Sequence, residues 1–128
     1  MTTDAVLAAA DALVSAFARN DTEAYFACFH PDATFIFHTT DHRLESRADY
    51  RAEWQRWERE DGFHVIGCRS SDQRVQLFDS TAIFTHTVHT TVATHAGQAD
   101  LTERETIVFH RTEGGWLAVH EHLSPLPT

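Results

Sequence analysis

A chain of 128 residues is typical of one domain with one hydrophobic core, so we expect residues 1–128 to form a single domain. Its formal net charge of −9 argues against nucleic acid or an anionic membrane as a partner, because both attract clustered positive charge. All 10 basic residues are arginines, which excludes Schiff-base lysine chemistry and the phosphate-binding lysine of P-loops, and we expect no cofactor.

The N-terminal segment predicts an amphipathic helix with Thr3 as its N-cap. It lacks a basic start and carries Asp4 and Asp11, so it does not read as a signal peptide. No apolar run in the chain approaches the length that spans a bilayer. We therefore expect a cytoplasmic protein without membrane attachment. The apolar residues at helical spacing are Val6, Ala10, Leu13, Val14 and Phe17.

A second, short helix is predicted by the pair Asn20 and Glu23, which resembles a capping box. Pro31 should end it, because the residue before a proline disfavours helical geometry. Residues 33–38 have the β-branched and aromatic bias of a strand, and a short extended piece is expected at Leu44. The apolar side of this helix carries Tyr25, Phe26 and Phe29.

A third helix should begin after Ser46, which caps it with Asp49 at the third helical position, and should end at Gly62. Three aromatic residues at i, i+4 and i+7 share one face of this helix. They either pack the helix on a sheet or offer flat walls to a planar guest, and His38 could join them. These aromatic residues are Tyr50, Trp54 and Trp57.

Helix signals disappear after Gly62, and strand-like runs are separated by turn residues. Helices followed by an antiparallel meander predict an α+β domain with the helices on one face of a sheet. Cys28 and Cys68 are far apart, so neither a disulfide framework nor a four-thiolate zinc site is expected. The predicted strands span about Phe63–Leu77, Ala82–His95, Leu101–Arg111 and Trp116–Ser124.

The segment ETIVFHRTEGGWLAVHEHLS, Glu105–Ser124, ends in Val-His-x-His-x-Ser. With the order of elements, it resembles the nuclear transport factor 2-like (NTF2-like) superfamily. More narrowly, it is similar to the SnoaL-like branch, which includes the association domain of calcium/calmodulin-dependent protein kinase II. The resemblance implies a cone-shaped α+β fold, with three N-terminal helices on a curved, mostly antiparallel sheet around a cavity, and a homodimer through the outer sheet face. Because the superfamily includes isomerases, dehydratases, polyketide cyclases and non-catalytic domains, no single activity is implied.

The chain departs from the kinase association domain at one point. That domain places arginines in its pocket, whereas the matching positions here are Ile107 and Leu123. We therefore expect no anion-binding pocket. Together with the net charge of −9, this favours a neutral or cationic small-molecule ligand.

The last two strands divide into two faces, because alternate side chains of a strand point in opposite directions. The face that contains Glu103 and Leu117 is mostly large and apolar but is interrupted by carboxylates, which is typical of a cavity wall. We predict that this face is turned toward the helices. The predicted ligand pocket comprises Trp54, Trp57, Ile107, Phe109, Val119, Leu123 and His38.

If Phe109 pairs with Leu117 across the turn, then Glu105 lies opposite Glu121. Two carboxylates about 5 Å apart repel, so the pKa of one should rise toward the range that proton transfer requires. We predict Glu105 and Glu121 as catalytic residues, with Tyr50 as a hydrogen-bond donor. The alternative is that these carboxylates are ordinary surface charges at the solvated end of the strands.

The opposite face carries His120 and His122, with Arg104 beside them, and should form the dimer face. His86 or His89 on the neighbouring strand could complete an alternative site there. We expect no metal, because compact ligand spacing is absent and an arginine opposes a cation. If the two faces were reversed, His120 would become the candidate for proton transfer.

Two hypotheses follow from these patterns. The preferred one is a small-molecule-binding domain with an apolar, acid-containing pocket. The other is an acid-base enzyme of the isomerase, dehydratase or cyclase type that acts on a small carbonyl or polycyclic compound. The sequence contains neither a nucleophile elbow nor a zinc-binding His-Glu-x-x-His motif, so no complete catalytic set is evident.

Overall fold

The computed structural model describes residues 2–127. The strands form one mixed sheet in the order β1-β5-β4-β3-β2, in which β1 is parallel to β5 and the other neighbours are antiparallel. None of the helices in this range has the length and apolar character that a bilayer crossing requires. The elements are α1 (Thr2–Ala18), α2 (Thr22–Ala27), β1 (Phe29–Phe37), α3 (Arg47–Asp61), β2 (His64–Phe78), β3 (Thr81–Thr94), β4 (Gly97–Thr112) and β5 (Gly115–Pro125).

The turn between α1 and α2 differs from the prediction. Asn20 does not cap α2; it ends α1 in the left-handed region, with φ of 55°. The amide of Asp21 donates to the carbonyl of Ala16 and that of Asn20 to the carbonyl of Phe17, as in a Schellman motif. The capping residue of α2 is therefore Asp21, whose side chain accepts from the amide of Ala24. Thr3, the predicted cap of α1, lies inside that helix.

The first strand begins earlier than predicted. Phe29 was expected on the second helix but is the first residue of β1, and Pro31 lies within this strand. The pairing with β5 shifts register between Phe29 and Thr34. A proline is tolerated here because β1 is an edge strand and the register shift removes the need for a regular ladder. Leu44 forms the predicted short extended piece, as a single bridge to Phe35.

Helix α3 begins and ends as predicted. The hydroxyl of Ser46 accepts from the amide of Asp49 at 3.0 Å, and Gly62 ends the helix with φ of 65°. Tyr50 and Trp54 on one face are buried, so α3 packs onto the hydrophobic core through its aromatic residues.

The core lies between the helices and one face of the sheet, which we call the inner face. In β3 every second residue is buried, which identifies the inner positions of this strand. In β4 the inner positions run through Glu103, Ile107 and Phe109, as predicted from the alternation. The face turned away from the helices is the outer face. The inner positions of β3 are Ala82, Phe84, His86, Val88, Thr90 and Val92.

A β-bulge in β5 overturns the predicted pairing of the last hairpin. Val108 pairs with His120 while Phe109 pairs with Ala118, so Val119 has no partner across the strands. The extra residue reverses the alternation, which brings Ala118 to the inner face in place of Leu117. On the C-terminal side of the bulge, Ile107 lies opposite Glu121 and Glu105 opposite Leu123. The predicted pairing of Glu105 with Glu121 is therefore wrong by two residues.

Candidate functional site

A cavity of about 140 Å³ lies between the helices and the inner face of the sheet, and we call it the inner cavity. A cavity of this order accepts a guest the size of a single six-membered ring. Most of its lining is apolar, and within residues 2–127 none of the lining residues is basic. Seven aromatic residues line it, which we call the aromatic wall: Phe17, Tyr25, Phe37, Tyr50, Trp54, Trp57 and Phe63. Three carboxyl groups also line it: Glu103, Glu105 and Glu121.

Glu121 is the most deeply buried of the three carboxyl groups, with 2% of the residue exposed. Its Oε2 atom has no hydrogen-bond partner among the described residues. Burial raises the pKa of Glu121 well above its ordinary value, and the nearby charges of Glu105 and Glu103 raise it further, while Tyr25 opposes the shift. Glu105 and Glu121 are diagonal neighbours on the inner face, within reach of each other's side chains.

Glu105 is held by a buried histidine. The imidazole of His86 donates from Nε2 to Oε1 of Glu105 at 2.7 Å, and its Nδ1 is hydrogen-bonded to Oγ of Ser70 at 2.6 Å. Ser70 in turn accepts from the side-chain amide of Gln73, which is exposed. A chain of hydrogen bonds therefore connects the carboxyl group of Glu105 with the protein surface.

Glu103 has an imidazole partner of its own. Nε2 of His38 donates to Oε2 of Glu103 at 2.5 Å, and 32% of the His38 side chain is exposed. His38 therefore lies at the rim of the inner cavity and contacts it through Glu103. Two of the three carboxyl groups are thus paired with imidazoles, whereas Glu121 has no such partner in the part of the chain that the structure describes.

Two tyrosines meet beside the carboxyl groups. The hydroxyl oxygens of Tyr25 and Tyr50 are 2.9 Å apart and share a hydrogen bond. Burial raises the pKa of both hydroxyl groups, and the nearby charge of Glu121 adds to the shift, so both stay protonated at neutral pH. Nε1 of Trp54 is also buried without a hydrogen-bond partner among residues 2–127. The inner cavity thus contains hydrogen-bond donors, from the two tyrosines and Trp54, as well as three carboxyl groups.

The predicted site residues fall into three groups. The predicted catalytic residues Glu105, Glu121 and Tyr50 all line the inner cavity. Ile107 and Phe109 lie on the inner face but are fully buried in the packed core and do not line it. The prediction for Val119 is wrong, because the bulge removes it from the inner alternation and leaves it half-buried. The predicted pocket residues that do line the cavity are Trp54, Trp57 and Leu123.

The outer face contains most of the residues predicted there. Arg104 and His122 are exposed. Nδ1 of His120 is hydrogen-bonded to Oγ1 of Thr34 at 2.8 Å. Burial lowers the pKa of His120, and the nearby positive charge of His122 lowers it further.

His86, however, lies on the inner face, so its placement with the outer residues is wrong. His86 and His89 are three residues apart on one strand, and such residues point to opposite faces. His89 lies on the outer face between Ser71 and Thr102. Across residues 2–127 there is no group of three or more His, Cys, Asp or Glu side chains arranged to hold a metal ion.

Residues 6–128 match the family model of the SnoaL-like domain. The chain belongs to the SnoaL-like family. None of the curated proteins compared with this SnoaL-like domain matches it in sequence.

Solved structures show the fold of this SnoaL-like domain. An NTF2-like protein from Cytophaga hutchinsonii is 17% identical, with a TM-score of 0.83 over 98% of this chain and 99% of that chain. The CaMKII hub of S. rosetta is 24% identical, with a TM-score of 0.77 over 96% and 95%. A candidate dehydratase of the NTF2-like family from Streptomyces avermitilis is 18% identical, with a TM-score of 0.80 over 99% and 97%. These likenesses confirm the predicted α+β, NTF2-like fold.

Glu103 and Tyr25 are two of the lining residues that were not among the predicted site residues of the SnoaL-like domain. Glu103 has the same strand parity as Glu105, and this parity was a signal that it also faces inward. Tyr25 lies between apolar neighbours on α2, and a hydroxyl group on an apolar helix face requires a buried partner, which Tyr50 supplies. Neither signal specifies that the two residues meet at one cavity.

Proposed function

We propose that this SnoaL-like domain binds one small molecule, of about single-ring size, in the inner cavity. The apolar body of the molecule packs against the aromatic wall, and its polar end bonds to Glu121. The observation that supports this proposal is the buried Oε2 atom of Glu121, which has no partner among the described residues. An unsatisfied buried polar atom costs about 1–3 kcal/mol, and a bound polar group would remove that cost.

The composition of the lining also supports the proposal. Small-molecule sites are concave and mostly apolar, with a few convergent polar groups that fix the orientation of the ligand. In the inner cavity these polar groups are the three carboxyls, the two tyrosine hydroxyls and Thr90. The lack of a basic residue among the described lining residues disfavours an anionic ligand.

The experiment uses benzyl alcohol as a neutral single-ring probe, titrated into the full chain and followed by two-dimensional amide NMR. We expect shifts confined to residues around the inner cavity. Val88→Phe adds volume to the lining of the cavity and should abolish binding of benzyl alcohol. Thr87 points to the outer face, so Thr87→Phe should leave binding unchanged. Equal binding by both variants, or shifts confined to the outer face, would contradict the proposal.

A second candidate function is proton-transfer catalysis, favoured by the different surroundings of two neighbouring carboxyl groups. Glu105 is hydrogen-bonded to His86, whereas Glu121 has no imidazole partner among the described residues and burial raises its pKa, which favours the protonated form. With a carbonyl compound, the Glu105 carboxylate would take a proton from the carbon beside the carbonyl while Glu121 donates one to the carbonyl oxygen. The product is an enol. With a β,γ-unsaturated carbonyl compound it is a dienol, and return of the proton from Glu105 to its far carbon, with the enol proton going back to Glu121, gives an isomer without any oxidant or reductant.

This second function is tested with cyclohexanone in heavy water. Enolisation exchanges the hydrogens beside the carbonyl for deuterium, which proton NMR measures directly. We expect exchange above the buffer rate, with losses of roughly 100-fold or more in Glu105→Gln. Glu113→Gln removes an exposed carboxyl group in the turn after β4 and serves as the control. Exchange at the buffer rate by the wild-type protein would contradict this function for that substrate class.

Self-association through the outer face is also part of the proposal. His89, Arg104, His120 and His122 lie there, and two structurally similar proteins are described as CaMKII hubs. Light scattering at micromolar concentration should give twice the 14.5 kDa of one chain. Arg104→Glu should shift the mass toward the monomer, whereas Arg59→Glu on the exposed end of α3 should not. A monomer at every concentration would contradict it. Residence in the cytoplasm remains a prediction from the sequence.

A further inference from the structure

We propose that the inner cavity selects a cation, namely a small organic amine whose ammonium group pairs with the Glu121 carboxylate and lies among the rings of the aromatic wall. This inference rests on the proposed function, because it specifies the charge and chemical class of the molecule that the cavity binds. It follows from three features of the cavity: the balance and pairing of its charges, its aromatic wall, and the protonation of Glu121.

The first feature is the balance of charge. Three carboxyl groups line the inner cavity, and among the described lining residues no arginine or histidine opposes them. His86 is bonded to Glu105 and His38 to Glu103, so each of these carboxylates has a cationic or hydrogen-bonding partner from the protein. Of the three carboxyl groups, only Glu121 keeps a buried oxygen, Oε2, without a hydrogen-bond partner among the described residues. An ammonium group would supply both the positive charge and the N–H donor that Glu121 lacks.

The second feature is the aromatic wall. The ring of Trp54 lies 5.0 Å from that of Phe63 and 6.5 Å from that of Trp57, and the rings of Tyr50 and Trp57 are 6.4 Å apart. The negative face of an aromatic ring attracts a cation, most strongly for tryptophan and when water is excluded. A cluster of such rings beside a carboxyl group is the combination that recognises ammonium ions. A neutral guest would gain the contact with the rings but not this attraction.

The third feature is the protonation of Glu121. Burial raises the pKa of this carboxyl group well above its ordinary value and so favours its protonated form in the free protein. An ammonium ion pairs with the ionised form, so its binding should release one proton from Glu121 to the solvent. The other titratable groups around Glu121 are Glu103 and Glu105 from β4, Tyr25 from α2, Tyr50 from α3 and Cys68 from β2. His86 and His38 are hydrogen-bonded to Glu105 and Glu103, so a Glu121 variant is needed to assign the source of the proton.

The experiment compares three molecules of the same shape that differ in charge: benzylamine, benzyl alcohol and benzoate. Each is titrated into the full chain at pH 7 by calorimetry, in phosphate and in Tris, whose ionisation enthalpies differ. We expect benzylamine to bind about tenfold more tightly than benzyl alcohol, as a desolvated cation over aromatic rings should, and benzoate to bind more weakly than either. The difference in enthalpy between the two buffers should correspond to a proton released with benzylamine and none with benzyl alcohol.

Glu121→Gln assigns the effect to the carboxyl group. This variant should weaken benzylamine binding about tenfold and abolish proton release, with benzyl alcohol much less affected. Glu113→Gln should behave as wild type. If Glu121→Gln fails to fold, the order of affinities of the three probes for the wild-type protein still decides between the outcomes, because the probes share one shape and differ in charge.

The outcomes separate this inference from the proposed function. If benzyl alcohol binds as tightly as benzylamine, or if Glu121→Gln binds benzylamine as tightly as wild type does, the selection of a cation by Glu121 is wrong while binding in the inner cavity stands. If none of the three molecules binds, the proposed function fails and the inference fails with it.

Discussion

The two faces of the sheet carry similar residue types in opposite environments. Glu121 and His122 are adjacent in sequence, yet Glu121 is 2% exposed on the inner face and His122 is exposed on the outer face. In β3, His86 is buried between two hydrogen-bond partners, whereas His89 three residues later lies on the outer face. Strand parity and the bulge at Val119, rather than residue type, therefore determine which groups acquire unusual chemistry.

The largest contrast between the faces should appear in packing. Phe109 is fully buried and lies against Phe84, with ring centroids 6.5 Å apart. Phe109→Ala should lower the free energy of unfolding by about 3–5 kcal/mol, because it leaves a void in the core. His110→Ala, one residue later on the outer face, should change it by no more than about 0.5 kcal/mol. Urea denaturation measures both, and similar losses would contradict the assignment of faces in β4.

The next largest contrast is between the two histidines of β3. His86→Leu leaves Glu105 and Ser70 without their imidazole partner and should cost about 1–3 kcal/mol of unfolding free energy. His89→Leu removes an outer imidazole and should cost no more than about 0.5 kcal/mol. Denaturation curves of the two variants under one set of conditions test this contrast. A larger loss of unfolding free energy in His89→Leu than in His86→Leu would contradict this prediction.

A pH-dependent contrast follows from the raised pKa of Glu121. Above the ordinary value of 4.5 the unfolded chain has lost the Glu121 proton while the folded protein retains it, so stability falls as the pH rises toward the folded-state pKa. The slope is at most about 1.4 kcal/mol per pH unit for one proton. Glu121→Gln should lack this slope. The free energy of unfolding of the variant should therefore rise relative to that of wild type between pH 5 and pH 7.

Urea denaturation at a series of pH values measures that slope. The control Glu113→Gln changes an exposed carboxyl group and should follow the wild-type profile. Parallel profiles for wild type and Glu121→Gln would contradict a protonated Glu121 in the folded protein.

The smallest expected effect lies on the outer face. The pKa of His120 is lowered chiefly by burial and further by His122, whose ring centroid is 6.4 Å away. His122→Ala removes that neighbouring charge, so the pKa of His120 should rise while remaining below its ordinary value. NMR titration of the imidazole protons measures the change. His110→Ala removes a histidine from the far end of the outer face and should leave the titration unchanged.

Much of the fold was predictable from local sequence signals. Ser46 and Gly62 set the limits of α3 because a capping hydroxyl and a left-handed glycine act within a few residues. The alternation of Glu103, Ile107 and Phe109 gave the correct orientation of β4 for the same reason. The predicted N-cap of α2, Asn20, was wrong by one residue. Asparagine can cap the start of a helix or adopt the left-handed conformation that ends one, so the residue type did not distinguish the two roles.

The site was less predictable, because it depends on contacts between distant strands. The bulge at Val119 has no local signal in the sequence, and it reverses the faces of Leu117 and Ala118. The partnership of His86 with Glu105 joins residues on separate strands and follows only from the register of β3 and β4. Even so, the inner position of His86 could have been read from the alternation of Phe84 and Val88.

Helix α3, which carries three of the seven residues of the aromatic wall, is anchored at both ends. Near its start, the guanidinium of Arg47 donates to the carbonyl of Phe29 at 3.0 Å, and at its end the amide of His95 donates to the carbonyl of Asp61 at 2.8 Å. A Cβ atom at Gly62 would lie 2.5 Å from the His95 ring, so a larger residue would have to displace this junction. The helix therefore cannot swing away from the sheet to admit a longer molecule without breaking these anchors. The position of the α3 residues that a guest would contact depends on hydrogen bonds at the two ends of the helix, which involve none of the residues that line the cavity.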